Sequence, residues 1–290
     1  MRPGLVAGLG LAVLVGGCAR PEQREYTLQG QVTAVADDHR QATLSHEAIK
    51  GFMPAMTMPY NVRDPKQLNG IAPGDLIIAR LTVVTNDAYL TEVKKVGAAP
   101  LPKAPEAVPA PPARSGFELL KPGEAVPDAA FVDQDGRKRA FAAFKGASLL
   151  VTFIYTKCPM PTFCPLMDQH FVTIQQRLHD DPALKGRVHL VSVSFDPIVD
   201  TPPVLKAHAK RLGADAKTWT FLTGDRDEID QFAMRFGVSV ARATNDQRDI
   251  THNLRTAVVD AGGKLVKIYI GNEWTPDQAI ADLRAVVKAD

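Results

Sequence analysis

Leu149-Leu150-Val151-Thr152-Phe153-Ile154-Tyr155-Thr156-Lys157-Cys158-Pro159-Met160-Pro161-Thr162-Phe163-Cys164-Pro165 decides the fold. The apolar run Leu149–Tyr155 reads as a buried strand. Two cysteines follow at its C-terminal mouth, each with a proline behind it, and then the periodic segment Leu166–Leu178. Pro165 suits the first helical position, which puts Cys164 close to an N-cap. A helix N-terminus favours thiolate over thiol, and thiolate is both the nucleophile and the metal ligand. A short disulfide and two unrelated buried thiols are the plainer alternatives, although a loop this short would gain a disulfide little chain entropy.

Downstream the same grammar continues. Val188–Phe195 is a second buried strand, and Asp200-Thr201-Pro202 opens a helix over Pro202–Leu212. Trp219–Leu222 is a short strand and Asp227–Phe236 a helix. Arg255–Val259, a Gly262-Gly263 turn and Leu265–Ile270 form a hairpin, and Thr275-Pro276 opens the last helix. A sheet flanked by helices, with cysteines at the end of one strand, is an α/β thioredoxin-like layout. It is expected over residues 115–290.

Upstream the pattern changes. Gly97–Arg114 holds six prolines and six alanines, a semi-rigid spacer that sets a linker at 98–114. Before it, Tyr26–Ala36, Gln41–Ile49, Met56–Val62, Asp75–Thr85 and Tyr89–Val96 are β-like runs divided by turn residues. Five short strands over residues 26–97 predict a small all-β, OB-like barrel. The N-terminus carries Met1-Arg2-Pro3, an apolar run Leu5–Val15, then Gly16-Gly17-Cys18. This is a secretory signal, too short to span a bilayer. The cysteine after Val15-Gly16-Gly17 resembles a bacterial lipobox, which implies residues 1–18 as a lipoprotein signal peptide with Cys18 acylated. The mature chain is then tethered to a membrane on the extracytoplasmic, periplasmic side.

With 290 residues, 34 Lys+Arg and 32 Asp+Glu, the chain lacks the basic footprint of a nucleic-acid binder. Its three cysteines are too few for a disulfide scaffold. Neither a nucleophile-elbow serine nor a phosphate-cradling glycine loop is present in the sequence.

Phe153–Pro159, the second Cys-Pro at Cys164-Pro165, Val193-Ser194-Phe195-Asp196-Pro197 with Asp200-Thr201-Pro202, and His252 ahead of Arg255–Asp260 agree in order and spacing with a known pattern. Over about 115–288 the chain resembles the SCO/SenC copper chaperones. The resemblance implies Cys158, Cys164 and His252 as copper ligands and the copper centre of cytochrome c oxidase as acceptor. The family's usual loop is Cys-x-x-x-Cys, whereas five residues intervene here. Two thiolates and one imidazole make a soft site suited to copper, Cu(I) especially, with Cu(II) left open. The cysteines must be reduced to bind it, so a thiol reductant is an expected partner. Met160 and Met167 flank the loop, Met167 at helical spacing. Asp196 and Asp200 read as helix-capping and loop-ordering groups.

A second cluster, Phe52-Met53-Pro54-Ala55-Met56-Thr57-Met58-Pro59, places Met56 and Met58 on one face of a strand. Thioethers are soft ligands that cannot form disulfides; the plainer reading is a methionine-lined barrel core. The stretch His46–Met58 resembles the CusF-like periplasmic copper modules, which implies His46, Met56 and Met58 as Cu(I) ligands. That family's capping tryptophan has no counterpart here, Phe52 or Met53 occupies the corresponding region, and Met53 is a candidate third sulfur ligand. The expected function is a membrane-anchored copper chaperone, with the first unit capturing Cu(I) and the second delivering it. The competing readings are a thiol-disulfide oxidoreductase or thiol peroxidase cycling Cys158 and Cys164, and a copper-tolerance buffer.

Overall fold

The computed structural model describes residues 23–53, 55–84, 87–101, 118–242 and 250–289. Cys18 and most of the proline-rich stretch lie outside them. The first unit comprises β1 (Arg24–Val35), β2 (Gln41–His46), β3 (Met56–Val62), β4 (Asp75–Val84) and β5 (Asp87–Ala98). They close into a barrel in the order β1-β2-β3-β5-β4, which leaves little free sheet edge. Strict alternation drives the closure. Met58, Tyr60 and Val62 of β3 face inward and are buried, whereas Thr57, Pro59 and Asn61 face out.

One part of the barrel stays loose. β3 pairs with β2 along its whole length but with β5 only at Asn61 and Val62. The stretch Met56–Pro59 therefore has a ladder on one side only, and Pro59, which has no N–H to donate, is tolerated there. This opens the barrel wall beside the methionines. β2 also ends earlier than the apolar pattern suggests, at His46 instead of Ile49. Ile49 pairs instead with Met53 across a tight loop in which Gly51 takes φ +77°, a conformation glycine adopts without strain.

The second unit contains β6 (Ala130–Asp133), β7 (Lys138–Ala140), β8 (Ser148–Ile154), α1 (Cys164–Asp180), β9 (Val188–Ser194), α2 (Pro202–Leu212), β10 (Trp219–Thr223), α3 (Arg226–Arg235), β11 (Val240–Arg242), β12 (Ile250–His252), β13 (Arg255–Val259), β14 (Leu265–Ile270) and α4 (Pro276–Ala289). Seven strands form one sheet in the order β14-β13-β8-β9-β10-β6-β7, and β8, β9 and β10 run parallel at its centre. Every residue of β8 is buried, as a parallel strand covered on both faces requires. The chain leaves β8 through the cysteine loop, enters α1 and returns as β9, a βαβ crossover that puts the cysteines at the C-terminal end of the sheet. This is the thioredoxin-like arrangement. Among the described residues no helix is long and apolar enough to cross a membrane.

Candidate metal centres

The cysteine loop is held at both ends. Asp200, fully buried, accepts from the Thr156 backbone N–H at 2.9 Å, from the Thr156 hydroxyl, and from the Ser194 hydroxyl at 2.6 Å. One carboxylate thus ties the residue two before Cys158 to the end of β9. The loop-ordering expectation holds for Asp200, but the capping one does not: Thr201 is the N-cap of α2, without a side-chain hydrogen bond. At the far end Asn272 Nδ2 donates to the Thr162 carbonyl at 2.7 Å. Cys164 is itself the first residue of α1, with Phe163 as N-cap.

His252 arrives from β12, paired through its backbone with Val240. The next residue fixes that strand: Asn253 Oδ1 accepts from the Ser239 N–H at 2.8 Å, and its Nδ2 donates to the Gly237 carbonyl at 3.0 Å. The imidazole packs against Phe195 at 4.5 Å and edge-on to Tyr155 at 5.6 Å between ring centroids. Its Nδ1 lies 2.9 Å from the Asn253 carbonyl, a contact that needs an N–H, so the neutral ring carries its lone pair on Nε2. That Nε2 is 3.6 Å from Cys164 Sγ. Two ligands at roughly 2.3 Å (S) and 2.05 Å (N) from a shared tetrahedral metal stand about 3.6 Å apart. Cys164 and His252 therefore have the separation of co-ligands. Cys158 completes the trio but does not close on a common point with them: among the described residues no group of three or more His, Cys, Asp and Glu is drawn together tightly enough to hold a metal ion. An incoming ion would have to replace the hydrogen bonds among the three with metal bonds.

Both cysteines are free thiols, Cys164 buried and Cys158 half-buried. Their pKa values are pushed in opposite directions. The Cys164 S–H donates to Cys158, and this first of all holds Cys158 well below the usual thiol range despite burial. Burial first, then the Cys158 charge beside it, push Cys164 well above that range. The sequence pointed to Cys164 as the thiolate, on the strength of its helix N-terminus. A helix end is worth up to about 2 kcal/mol, roughly 1.5 pKa units, whereas full burial shifts a group by up to about 3–5 units. Burial wins, and Cys158 is the more readily ionised of the two. Asp168, one helical turn beyond Cys164, adds to the opposition. It is buried, and His208 Nε2 lies 2.9 Å from its Oδ2. In the reduced chain at neutral pH, iodoacetamide is expected to label Cys158 well before Cys164. Peptide mapping after a short pulse checks this, and prior labelling of Cys164 would refute the assignment.

In the barrel, His46 and Met56 are directly paired across β2 and β3, with Leu44 opposite Met58 two residues along. His46, Met56 and Met58 therefore project on one face. Met58 and His46 are buried and Met56 is half-buried. His46 repeats the device seen at His252: its Nδ1 lies 2.7 Å from the carbonyl of the next residue, Glu47, which leaves the lone pair on Nε2. Met53 is buried, and the Tyr60 hydroxyl donates to its Sδ at 3.5 Å. Phe52 is stacked on Tyr26 at 4.4 Å. Trp219 and Trp274 belong to the α/β core and lie away from this face. Gly30 is a residue that sequence reading passed over. It sits opposite His46, and a Cβ there would lie 2.7 Å from the Ser45 carbonyl and 2.8 Å from His46 Cα. Gly30→Ala is expected to push β2 outward and cost about 1–3 kcal/mol of barrel stability. Thermal unfolding measures it, and an unchanged midpoint would mean that the close approach carries no strain.

Part of each centre lines one cavity. A space of about 280 Å³ is lined on one side by Met56 and Met58 and on the other by Cys158, Met160 and His252.

Residues 121–288 match the family described as SCO1/SenC. The chain belongs to the SCO1/SenC family. Residues 25–95 match a second family, described as copper binding periplasmic protein CusF, so a CusF-like unit precedes the SCO1/SenC region. The SCO1 protein homolog of Bacillus subtilis (strain 168) is 32% identical over 157 residues, 53% of this chain and 79% of that protein. A SCO1/SenC family lipoprotein from Bacillus anthracis str. Ames superposes with a TM-score of 0.51 at 28% identity, covering 58% of this chain and 99% of that one. BsSco, described as a member of the Sco family of cytochrome c oxidase assembly proteins with a disulfide switch, gives 0.50 at 30% identity over 59% of this chain and 99% of that one. Each of these relatives covers little more than half of this chain.

Proposed function

We propose that this chain is an extracytoplasmic copper chaperone anchored to a membrane through Cys18. The bounds proposed are 1–18 for the signal, 26–97 for the barrel, 98–114 for the spacer and 115–290 for the α/β unit. The barrel captures Cu(I) on His46, Met56 and Met58, with Met53 in reserve. The α/β unit receives the ion on Cys158, Cys164 and His252 and passes it to a membrane cuproprotein, with the copper centre of cytochrome c oxidase as the acceptor. The observation that carries this reading is the 3.6 Å separation of Cys164 Sγ and His252 Nε2 beside Cys158, whose pKa is held low by the Cys164 S–H. Thiolates and thioethers both favour Cu(I) over harder ions. The cysteine centre works only when reduced, so an extracytoplasmic thiol reductant belongs to the cycle.

Anaerobic Cu(I) titration of the reduced chain against a competing chelator tests the proposal. Two tight sites are expected, one lost in Cys158→Ser/Cys164→Ser and the other in Met56→Leu/Met58→Leu. Absence of a tight site dependent on the cysteines would overturn the chaperone. Delivery then needs a direct assay: copper should appear on a soluble copper-binding domain of the acceptor when the loaded chain is added.

The unequal cysteine pair also favours a second reading, thiol-disulfide exchange. A half-buried cysteine of lowered pKa beside a fully buried one of raised pKa is the arrangement of an attacking and a resolving cysteine. His252 separates the two. His252→Ala should remove the copper site yet leave disulfide exchange intact, so a variant that keeps both its Cu(I) affinity and its reductase activity would favour the enzyme.

A further inference from the structure

Met160 occupies the middle of the cysteine loop, yet it is only 3% exposed and belongs to the buried cluster of the barrel, with Met53, Met58 and Tyr60, instead of the core of its own unit. Cys158 and Phe163 pack against both cores. The loop is thus seated in the loosened stretch of barrel wall beside Met56–Pro59. Its length has a physical reason: Pro159 and Pro161 bracket Met160, fix φ on either side and hold Met160 in extended backbone, so the five-residue interval reaches across to the barrel. A purely apolar plug would need only volume, which leucine supplies. Sulfur is what leucine lacks, and Met160 lines the same cavity as Met56, Met58, Cys158 and His252.

Building on the proposed function, we propose that Met160 is a Cu(I) ligand shared by the two centres and that the ion crosses between them on its thioether. Met160 takes the ion as the bonds to the barrel thioethers and His46 are released, and hands it to the Cys158 thiolate. Each step exchanges one copper–ligand bond for another. Copper remains Cu(I) and no electron moves. The proton of Cys164 leaves to water when its sulfur ligates. A loop seated in the barrel makes the transfer intramolecular, with no search by a tethered partner.

The test is selenium-edge X-ray absorption on the reduced, selenomethionine-labelled full chain carrying one equivalent of Cu(I). In the Met56→Leu/Met58→Leu chain, where the barrel thioethers are gone, a selenium–copper scattering path is expected to persist. Adding Met160→Leu, which nearly conserves volume, is expected to abolish that path. A path that is absent from the Met56→Leu/Met58→Leu chain, or that survives Met160→Leu, would overturn the proposal. Chelator competition on the same samples keeps the two readings apart. Tight cysteine-dependent Cu(I) binding without the selenium–copper path would overturn the role of Met160 alone. Loss of tight binding by the unaltered chain would overturn the proposed function with it.

Discussion

Cys158→Ser is expected to abolish tight Cu(I) binding at the α/β centre, and Cys164→Ser to do the same, with opposite traces in the thiol that remains. A structural metal site with four ligands is worth roughly 10–16 kcal/mol, so one ligand accounts for about 3–4 kcal/mol, or 10²–10³ in affinity. In Cys164→Ser, Cys158 loses the S–H that lowers it first, and its pKa should rise. Less thiolate is then present at neutral pH. In Cys158→Ser, Cys164 loses the neighbouring charge but keeps its burial, the larger cause of its elevation. Its pKa should fall only part of the way. The signs carry over to stability. In the reduced apo chain the depressed Cys158 stabilises the fold above the ordinary thiol range, and this contribution fades as pH falls through its folded value. The raised Cys164 has the opposite effect, since its folded form holds a proton that the unfolded chain releases, so it lowers stability as pH rises past the ordinary range. Thiolate absorbance against pH in the two variants, with chelator competition beside it, tests the set. A single variant that bound Cu(I) within tenfold of the parent chain would remove that cysteine from the site.

The sequence displays what periodicity and turn chemistry control. β3 appears at its observed bounds because inward and outward residues alternate without a break, and the Arg255–Ile270 hairpin because Gly262-Gly263 fixes its turn. The short strands are missing from that reading. Lys138–Ala140 is exposed throughout and pairs only with Ala130–Asp133, so no apolar pattern marks it. Val240–Arg242 and Ile250–His252 are three residues each, below the length at which a period is visible. Supporting residues were equally hidden. Asn253 and Asn272 act through hydrogen bonds to backbone atoms of residues distant in the chain, and nothing local announces them. The seating of Met160 in the barrel depends on how two separately folding patterns meet, which neither pattern encodes alone.

Asp200→Ala is expected to cost the α/β unit more stability than any surface change, because its carboxylate serves three donors in a fully buried place. The two hydroxyls, on Thr156 and Ser194, can rotate toward other acceptors. The Thr156 backbone N–H cannot, and leaving a buried donor unsatisfied costs about 1–3 kcal/mol. With the cavity and the weakened hydroxyl bonds, a loss of about 3–4 kcal/mol is expected. That is a large share of a typical 5–15 kcal/mol. Asp200→Asn keeps one acceptor oxygen and should lose less, about 1–2 kcal/mol. It would also remove a negative charge that, after burial, raises Asp196, so the Asp196 carboxyl should titrate lower in the asparagine variant. Urea unfolding followed by tryptophan fluorescence reads the α/β unit specifically, since Trp219 and Trp274 are both in its core, while the barrel serves as an internal control by circular dichroism. The same change should loosen the chain two residues before Cys158 and lower Cu(I) affinity by about 10–100-fold, as loss of a supporting group around a metal site does. Normal stability with weakened copper binding would mean that Asp200 acts on the loop alone. Lost stability with unaltered copper binding would show that the loop is positioned from its Asn272 end, and the carboxylate would then be a structural tie between β9 and α2.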